Sequence, residues 1–166
     1  ITEKVTIDNV EYTKISGDIY GDQLLTADTK WLLSGGVFVT SGSTLTIEKG
    51  TTIYGDVTGT SFLSVLRGGM INAIGTETEP IVFTSIENQP EAGDWGGIII
   101  NGYAKINNGS TSEGEGGTGI YGGNDDHDNS GTLKYVRVEY AGKILGTDNE
   151  LNGFSFNGVG DGTTVE

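Results

Sequence analysis

The stretch "GVFVTSGSTLTIEKGTTIYGD", residues 36–56, holds three short apolar runs, each closed by a polar or glycine-bearing corner. Val37–Val39, Leu45–Ile47 and Ile53 are followed by Thr-Ser-Gly, Glu-Lys-Gly and, after Tyr54, Gly-Asp. Short runs rich in β-branched and aromatic residues, bounded by such corners, read as strands. Glycine at a corner supplies the positive φ that a tight bend needs. No 3.6-residue apolar stripe runs along the chain, so helices are expected to be few.

The same set of runs recurs outward from this stretch. Val37–Val39, Phe62–Val65, Ile98–Ile100 and Phe154–Phe156 align as one wall. Leu45–Ile47, Ile71–Ala73, Ala104–Ile106 and Thr163–Val165 align as a second, and Ile53, Val82 and Val136 fall on a third. The first repeat is about 26 residues, and later ones widen where insertions sit at corners, at 86–95 and 107–131. Rungs that pack only on their neighbours, with insertions collected at corners, describe a solenoid. The expected class is therefore all-β, a parallel β-helix with a long corner loop inserted at about 107–131. An antiparallel sandwich also uses short strands, but the hairpin dipeptides that would favour it are sparse. Residues 1–28 alternate on their own and are read as an N-terminal cap or an exchangeable strand. Residues 29–166 are read as the β-helix domain.

Composition narrows the function classes. Glycine makes up 29 of 166 residues with no Gly-X-Y period, which excludes collagen. The formal charge is −14, so a nucleic-acid partner is not expected, because phosphate binding needs a basic footprint. Cysteine is absent, which removes disulfides, thiolate metal sites and a cysteine nucleophile. No apolar run approaches the length of a membrane-spanning helix.

The segments "LSGGVFVTSGSTLTIEKGTTIYGD", "GGMINAIGTETEPIVFTS", "GDWGGIIINGYAKIN", "YGGNDDHDNSGTLKYVRVEYAG" and "ELNGFSFNGVGDGTTVE" cover most of residues 30–166. Together they resemble a domain of large secreted or outer-surface proteins and lipoproteins of Gram-negative bacteria. The resemblance implies a right-handed parallel β-helix of the pectate-lyase-like kind, without an assigned activity and without catalytic residues to carry over. It implies a location outside the cell or on its outer surface. Such proteins continue beyond "TTVE" with further rungs, so the chain is expected to stop mid-coil, as a fragment or as a subunit with an open end.

Candidate sites gather near one corner. Glu113, Glu115, Asp125, Asp126 and Asp128 lie between Lys105 and Lys134 with no Lys or Arg among them. Alternating oxygen side chains at Asp126, Asp128 and Ser130, before Gly131, resemble the first half of a calcium loop, with Asn124 and Asp125 available to complete the shell. The closing acid of an EF-hand is missing, and Arg137 stands in its place. The same residues suit a solvated Asp/Asn turn, so calcium and plain turn both stand as readings. His127, the lone histidine, reads as a solvent-facing loop residue. Lys134, Arg137 and Glu139 read as one charged face of the following strand, able to imitate the base of a calcium-dependent polysaccharide lyase. Trp95 and Tyr121 are candidate carbohydrate contacts, since exposed aromatics stack on sugar rings; for Trp95, an aromatic cap inside the coil or over its corner stands as the other reading. Asn108-Gly109-Ser110 fits a glycosylation sequon and marks an exposed loop.

The expected function is a non-catalytic extracellular scaffold or adhesion module, assembling with copies of itself by end-to-end stacking or strand addition. The alternative on the same fold is a calcium-dependent domain that binds or cleaves polysaccharide.

Overall fold

The computed structural model describes residues 2–166. The first coil holds β2 (Val10–Ile19) and β3 (Asp22–Leu25), preceded by β1 (Thr2–Ile7). The second coil holds β4 (Trp31–Val39) and β5 (Thr44–Ile47). The third holds β6 (Thr52–Gly55), β7 (Phe62–Val65) and β8 (Met70–Ile74). The fourth holds β9 (Ile81–Ser85) and β10 (Ile98–Asn101), then an insertion with β11 (Ser112–Glu113) and β12 (Ile120–Tyr121), then β13 (Gly131–Lys134). The fifth holds β14 (Val136–Val138), an insertion with β15 (Ile144–Gly146) and β16 (Asn149–Glu150), then β17 (Phe154–Asn157) and β18 (Thr164–Val165). Among the described residues, the only helical element is the short 3-10 turn Glu115–Gly117.

Every coil-to-coil pairing is parallel, and the strands stack into three faces. Face A carries the first halves of β2 and β4, then β6, β9 and β14. Face B carries the second halves of β2 and β4, then β7, β10 and β17. Face C carries β3, β5, β8, β13 and β18. The chain is a parallel β-helix, with rungs stacked by main-chain hydrogen bonds along its axis.

Alternation sends every second side chain inward, and register stacks those side chains into columns. Thr13, Trp31, Ile53, Phe83 and Val138 form one column on face A. Val37, Leu63, Ile98 and Phe154 form one on face B, and Leu25, Ile47, Ala73, Leu133 and Val165 one on face C. Ile53, Leu63, Ile98 and Ala73 are fully buried. Each such aliphatic side chain larger than alanine contributes about 1.5–3 kcal/mol by leaving water.

One column would be hollow without outside help. On face A, Ile15 and Leu33 are followed by Gly55 and Ser85, which leave space. The indole of Trp95, from the corner between β9 and β10, fills it: a Cβ on Gly55 would lie 2.5 Å from Trp95 Cγ. Trp95 is 0% exposed, stacks on Phe83 at 6.2 Å, and donates from Nε1 to the Glu139 carbonyl at 2.8 Å.

The first wall matches face B residue for residue. Three expectations need correcting. Ala104–Ile106 is not the fourth rung of face C; that place belongs to Gly131–Leu133 in β13. The 102–106 stretch opens the insertion, where the Ala104 amide donates to Gly158 O and the Lys105 amide to Asp126. On face A, Ile53 aligns with Phe83 and Val136 with Ile81, so Val82 sits one residue out of the interior column. The coil begins well before residue 29: β2 and β3 already pair in parallel with β4 and β5. The insertion hairpins β11–β12 and β15–β16 are antiparallel, and at the start of the coil β1 also departs from the parallel pattern. It runs antiparallel to β2 through a two-residue turn at Asp8 and Asn9, whose φ values of 49° and 64° suit a hairpin. The 139–153 insertion was not expected from the sequence. Among the described residues, no helix is long and apolar enough to cross a membrane.

Candidate functional site

The acidic corner is built from three segments that meet beside face C: 102–106, 124–130 and 158–163. Glycines allow the approach. A Cβ on Gly160 would fall 2.4 Å from the Asp128 amide nitrogen, and one on Gly102 would fall 2.6 Å from Asp128 Oδ2. The carboxylates then tie the segments together. Asp128, 8% exposed, accepts from the Tyr103 amide at 3.1 Å and from Ser130 Oγ at 3.4 Å, both through Oδ2. Asp126 accepts from the Lys105 amide at 3.0 Å and from Lys105 Nζ at 2.7 Å. Asp125 Oδ1 accepts from the His127 amide at 3.1 Å, a local Asx turn. Asp161 lies 2.9 Å from His127 Nδ1, and its own amide donates to Asp126 O at 2.9 Å. The Ser130 amide donates to Thr163 Oγ1 at 2.8 Å.

The electrostatics follow from these pairs. The Lys105 ammonium and amide hold the Asp126 carboxyl below its ordinary value, and the same pair raises Lys105. The bond to Asp161 raises His127 above its ordinary value, with smaller help from Asp125 and Asp126. Glu166 raises Lys134, which reaches it at 2.5 Å.

The expected calcium shell of Asn124, Asp125, Asp126, Asp128 and Ser130 therefore has carboxylates bonded in different directions. Among the described residues, no group of three or more Asp, Glu or His side chains is gathered as for a metal ion. A cation at this corner must displace Lys105 from Asp126 and compete with the backbone amides bonded to Asp125 and Asp128. The expected charged face is also divided. Tyr135, at φ 48°, separates β13 from β14, so Lys134 pairs with Glu166 while Arg137 pairs with Glu139 at 2.7 Å. Trp95 offers no face to a sugar, because the column hole at Gly55 takes the indole inside.

Tyr121, the other expected carbohydrate contact, lies elsewhere. It lines a groove of about 200 Å³ between the two insertions, over the outer side of face B. Ile99 and Leu151 give the groove apolar walls, Ser155, Asn152 and Asn157 supply neutral polar groups, and Glu113, Glu115 and Glu150 stand at its edge. Beneath it runs an amide ladder. Asn157 Nδ2 donates to Asn101 Oδ1 at 3.1 Å, and Asn101 Nδ2 donates to the Thr118 carbonyl at 2.9 Å and to Ser64 Oγ at 3.2 Å. These bonds seat the insertion on the coil, since Ser64 Oγ also donates to the Thr118 carbonyl. Sequence reading missed the groove: its lining is gathered from Ile99, the 113–121 segment and the 150–157 segment, and Glu150 comes from the unexpected insertion.

No curated protein and no solved structure matches the chain. Residues 17–166 match the family model described as the pectate-lyase like beta helix domain, and the chain belongs to that family.

Proposed function

We propose that the chain is a non-catalytic scaffold and adhesion module working outside the cell or on its outer surface, and that the edge of its fifth coil takes a further rung, which a second copy stacked end to end can supply. The observation that supports this is the state of the interior columns there. Phe156 is 43% and Val165 59% exposed, whereas their column neighbours Ile100 and Leu133 are 0% and 2% exposed. β14, β17 and β18 each have a parallel partner on one side only. An edge of this kind accepts a further strand through main-chain bonds, with apolar side chains adding affinity. The test is light scattering over a wide concentration range, with Phe156→Asp beside the parent chain. The apparent mass should rise with concentration and the variant should stay monomeric. A parent chain that remains monomeric at the highest concentration removes the end-to-end reading.

A second reading rests on the groove. With Tyr121 at its wall and amides at its floor, it suits a polysaccharide, as a calcium-dependent binding or lyase site. Glu113, Glu115 and Glu150 disfavour a polyuronate unless a cation neutralises them. Calcium at Asn124, Asp125, Asp126, Asp128 and Ser130 belongs to this reading as well. Calorimetric calcium titration, paired with melting in the presence and absence of chelator, tests the metal, because binding to the folded state must raise apparent stability. Absorbance of unsaturated products from uronate polymers, with calcium present, tests the lyase. No heat, an unchanged melt and no absorbance would leave the scaffold alone.

A further inference from the structure

The chain carries 23 acidic residues against nine Lys and Arg. Most of the cations have a carboxylate within ion-pair distance: Lys4, Lys14, Lys49, Lys105, Lys134 and Arg137. Arg67 has none among the described residues. It is half-buried at the corner after β7, where its guanidinium lies 4.9 Å above the Tyr103 ring and donates from Nη1 to the Gly122 carbonyl at 2.8 Å. One contact of the five-donor fork therefore bolts the insertion to the coil, and among the described residues the remaining donors meet no acceptor side chain.

Those donors border a hollow of about 300 Å³ lined by Ser41, Leu66, Arg67, Tyr103, Gly119 and Ile120. The lining contains no acidic residue. Ile120 is 51% exposed and Tyr103 36%, so the apolar wall is open. Gly119, at φ 114°, keeps the insertion close: a Cβ there would lie 2.6 Å from Leu66 Cδ2.

We propose that this hollow binds the apolar carboxyl-terminal residue of a peptide, with its carboxylate on Arg67 and its side chain against Leu66 and Ile120. The planar guanidinium matches a carboxylate in a two-bond fork, and the pair strengthens where apolar walls exclude water. In a molecule of charge −14, an arginine without an acidic partner beside aliphatic walls is complementary to an anion with an apolar body. A hydroxyl-rich acidic sugar would satisfy the guanidinium but not Leu66 and Ile120. Capture of a terminal carboxylate in a small apolar recess is a recurring mode of peptide recognition.

The test uses the full chain, labelled with nitrogen-15, and three probes: N-acetyl-phenylalanine, its neutral primary amide, and galacturonate. The free acid should shift the amides of Ser41, Gly119 and Ile120 and bind about tenfold more tightly than the amide, the size of one charge-assisted fork. Galacturonate should bind at least several-fold more weakly than the acid. Arg67→Gln should abolish the preference for the acid. Arg67 also holds Gly122, so Ile120→Asp serves as a second variant: it changes an exposed residue and places a carboxylate beside the fork. It should remove binding while leaving the melt unchanged. Equal binding of acid and amide, tighter binding of galacturonate, or shifts absent from these three amides would overturn the proposal. So would full binding by Ile120→Asp.

Discussion

The first three coils and the last two are built on the same interior and differ in what lies outside it. Up to residue 74, corners are short: Thr40–Ser43 joins β4 to β5, and Leu66–Gly69 joins β7 to β8. From β9 onward, the corners open into insertions of 86–97, 102–130 and 139–153. The interior columns pass through this change without a break, from Val37 to Leu63 to Ile98 and from Ile47 to Ala73 to Leu133. The outer side of face B does change. There Phe62, Ile99 and Leu151 make a second apolar cluster, joined by Phe38 and Leu145. The coil thus supplies rigidity, and the insertions supply the walls of the groove at Tyr121 and the carboxylates of the acidic corner.

The largest test of that division is Trp95, an insertion residue inside the coil. Trp95→Ala should cost about 3–5 kcal/mol, as a fully buried aromatic does. Chemical denaturation measures it. A loss below about 0.5 kcal/mol, usual for a surface corner, would mean that the indole is not the plug of the Gly55 column. A smaller effect is expected at the acidic corner. Asp128→Ala leaves the Tyr103 amide without its acceptor and should cost about 1–3 kcal/mol. Hydrogen exchange should rise in 102–106 and 158–163 while the β5 and β7 amides keep their protection. Uniform loss across all coils would erase the contrast between corner and coil.

The smallest effect is the pH response of the same corner. His127 is raised by Asp161, so its pairing stabilises the corner fully below the ordinary histidine value of about 6.5 and loses that support as pH rises through the raised value. Asp126 is lowered by Lys105, so its contribution is present above the ordinary carboxylate range and fades only as pH falls through the lowered value. NMR titration of the His127 ring should give a midpoint above that of a free histidine, and Asp161→Asn should return it. A midpoint at or below the free value would sink the pairing.

The parts of the fold legible in sequence are those set by local alternation. Val37–Val39, Phe62–Val65, Ile98–Ile100 and Phe154–Phe156 could be aligned because a two-residue period and a glycine corner are written into each run. "YAKIN" carries the same alternation but is drawn off the coil by Asp126 and Gly158, partners far away in sequence. Trp95 read as a sugar contact or as an aromatic cap, and the sequence did not decide between them because the hole it fills is made by Gly55 and Ser85, one coil and one strand away. The 124–131 segment was recognisable as a tight, oxygen-rich bend. Which amides and lysine its carboxylates serve was not, because those partners belong to other corners. The groove at Tyr121 depends on two insertions meeting, which no local pattern encodes.

The stacking of rungs along the axis also sets how the molecule would bear tension. Its hydrogen bonds lie nearly parallel to a pull applied between the first and last coils. Such a load reaches one rung boundary at a time instead of being shared by all of them. Stretching should therefore peel the rod in successive steps, each releasing about one coil's length of chain. His127–Asp161, Lys134–Glu166 and the Asn101–Asn157 amides fasten the fourth coil to the fifth and should hold that boundary against the pull. The earlier coils carry clips of the same kind at Ala27–Glu48, Ser34–Asp56 and Lys49–Glu79. A body anchored at both ends would yield first at whichever rung boundary its side chains clip least.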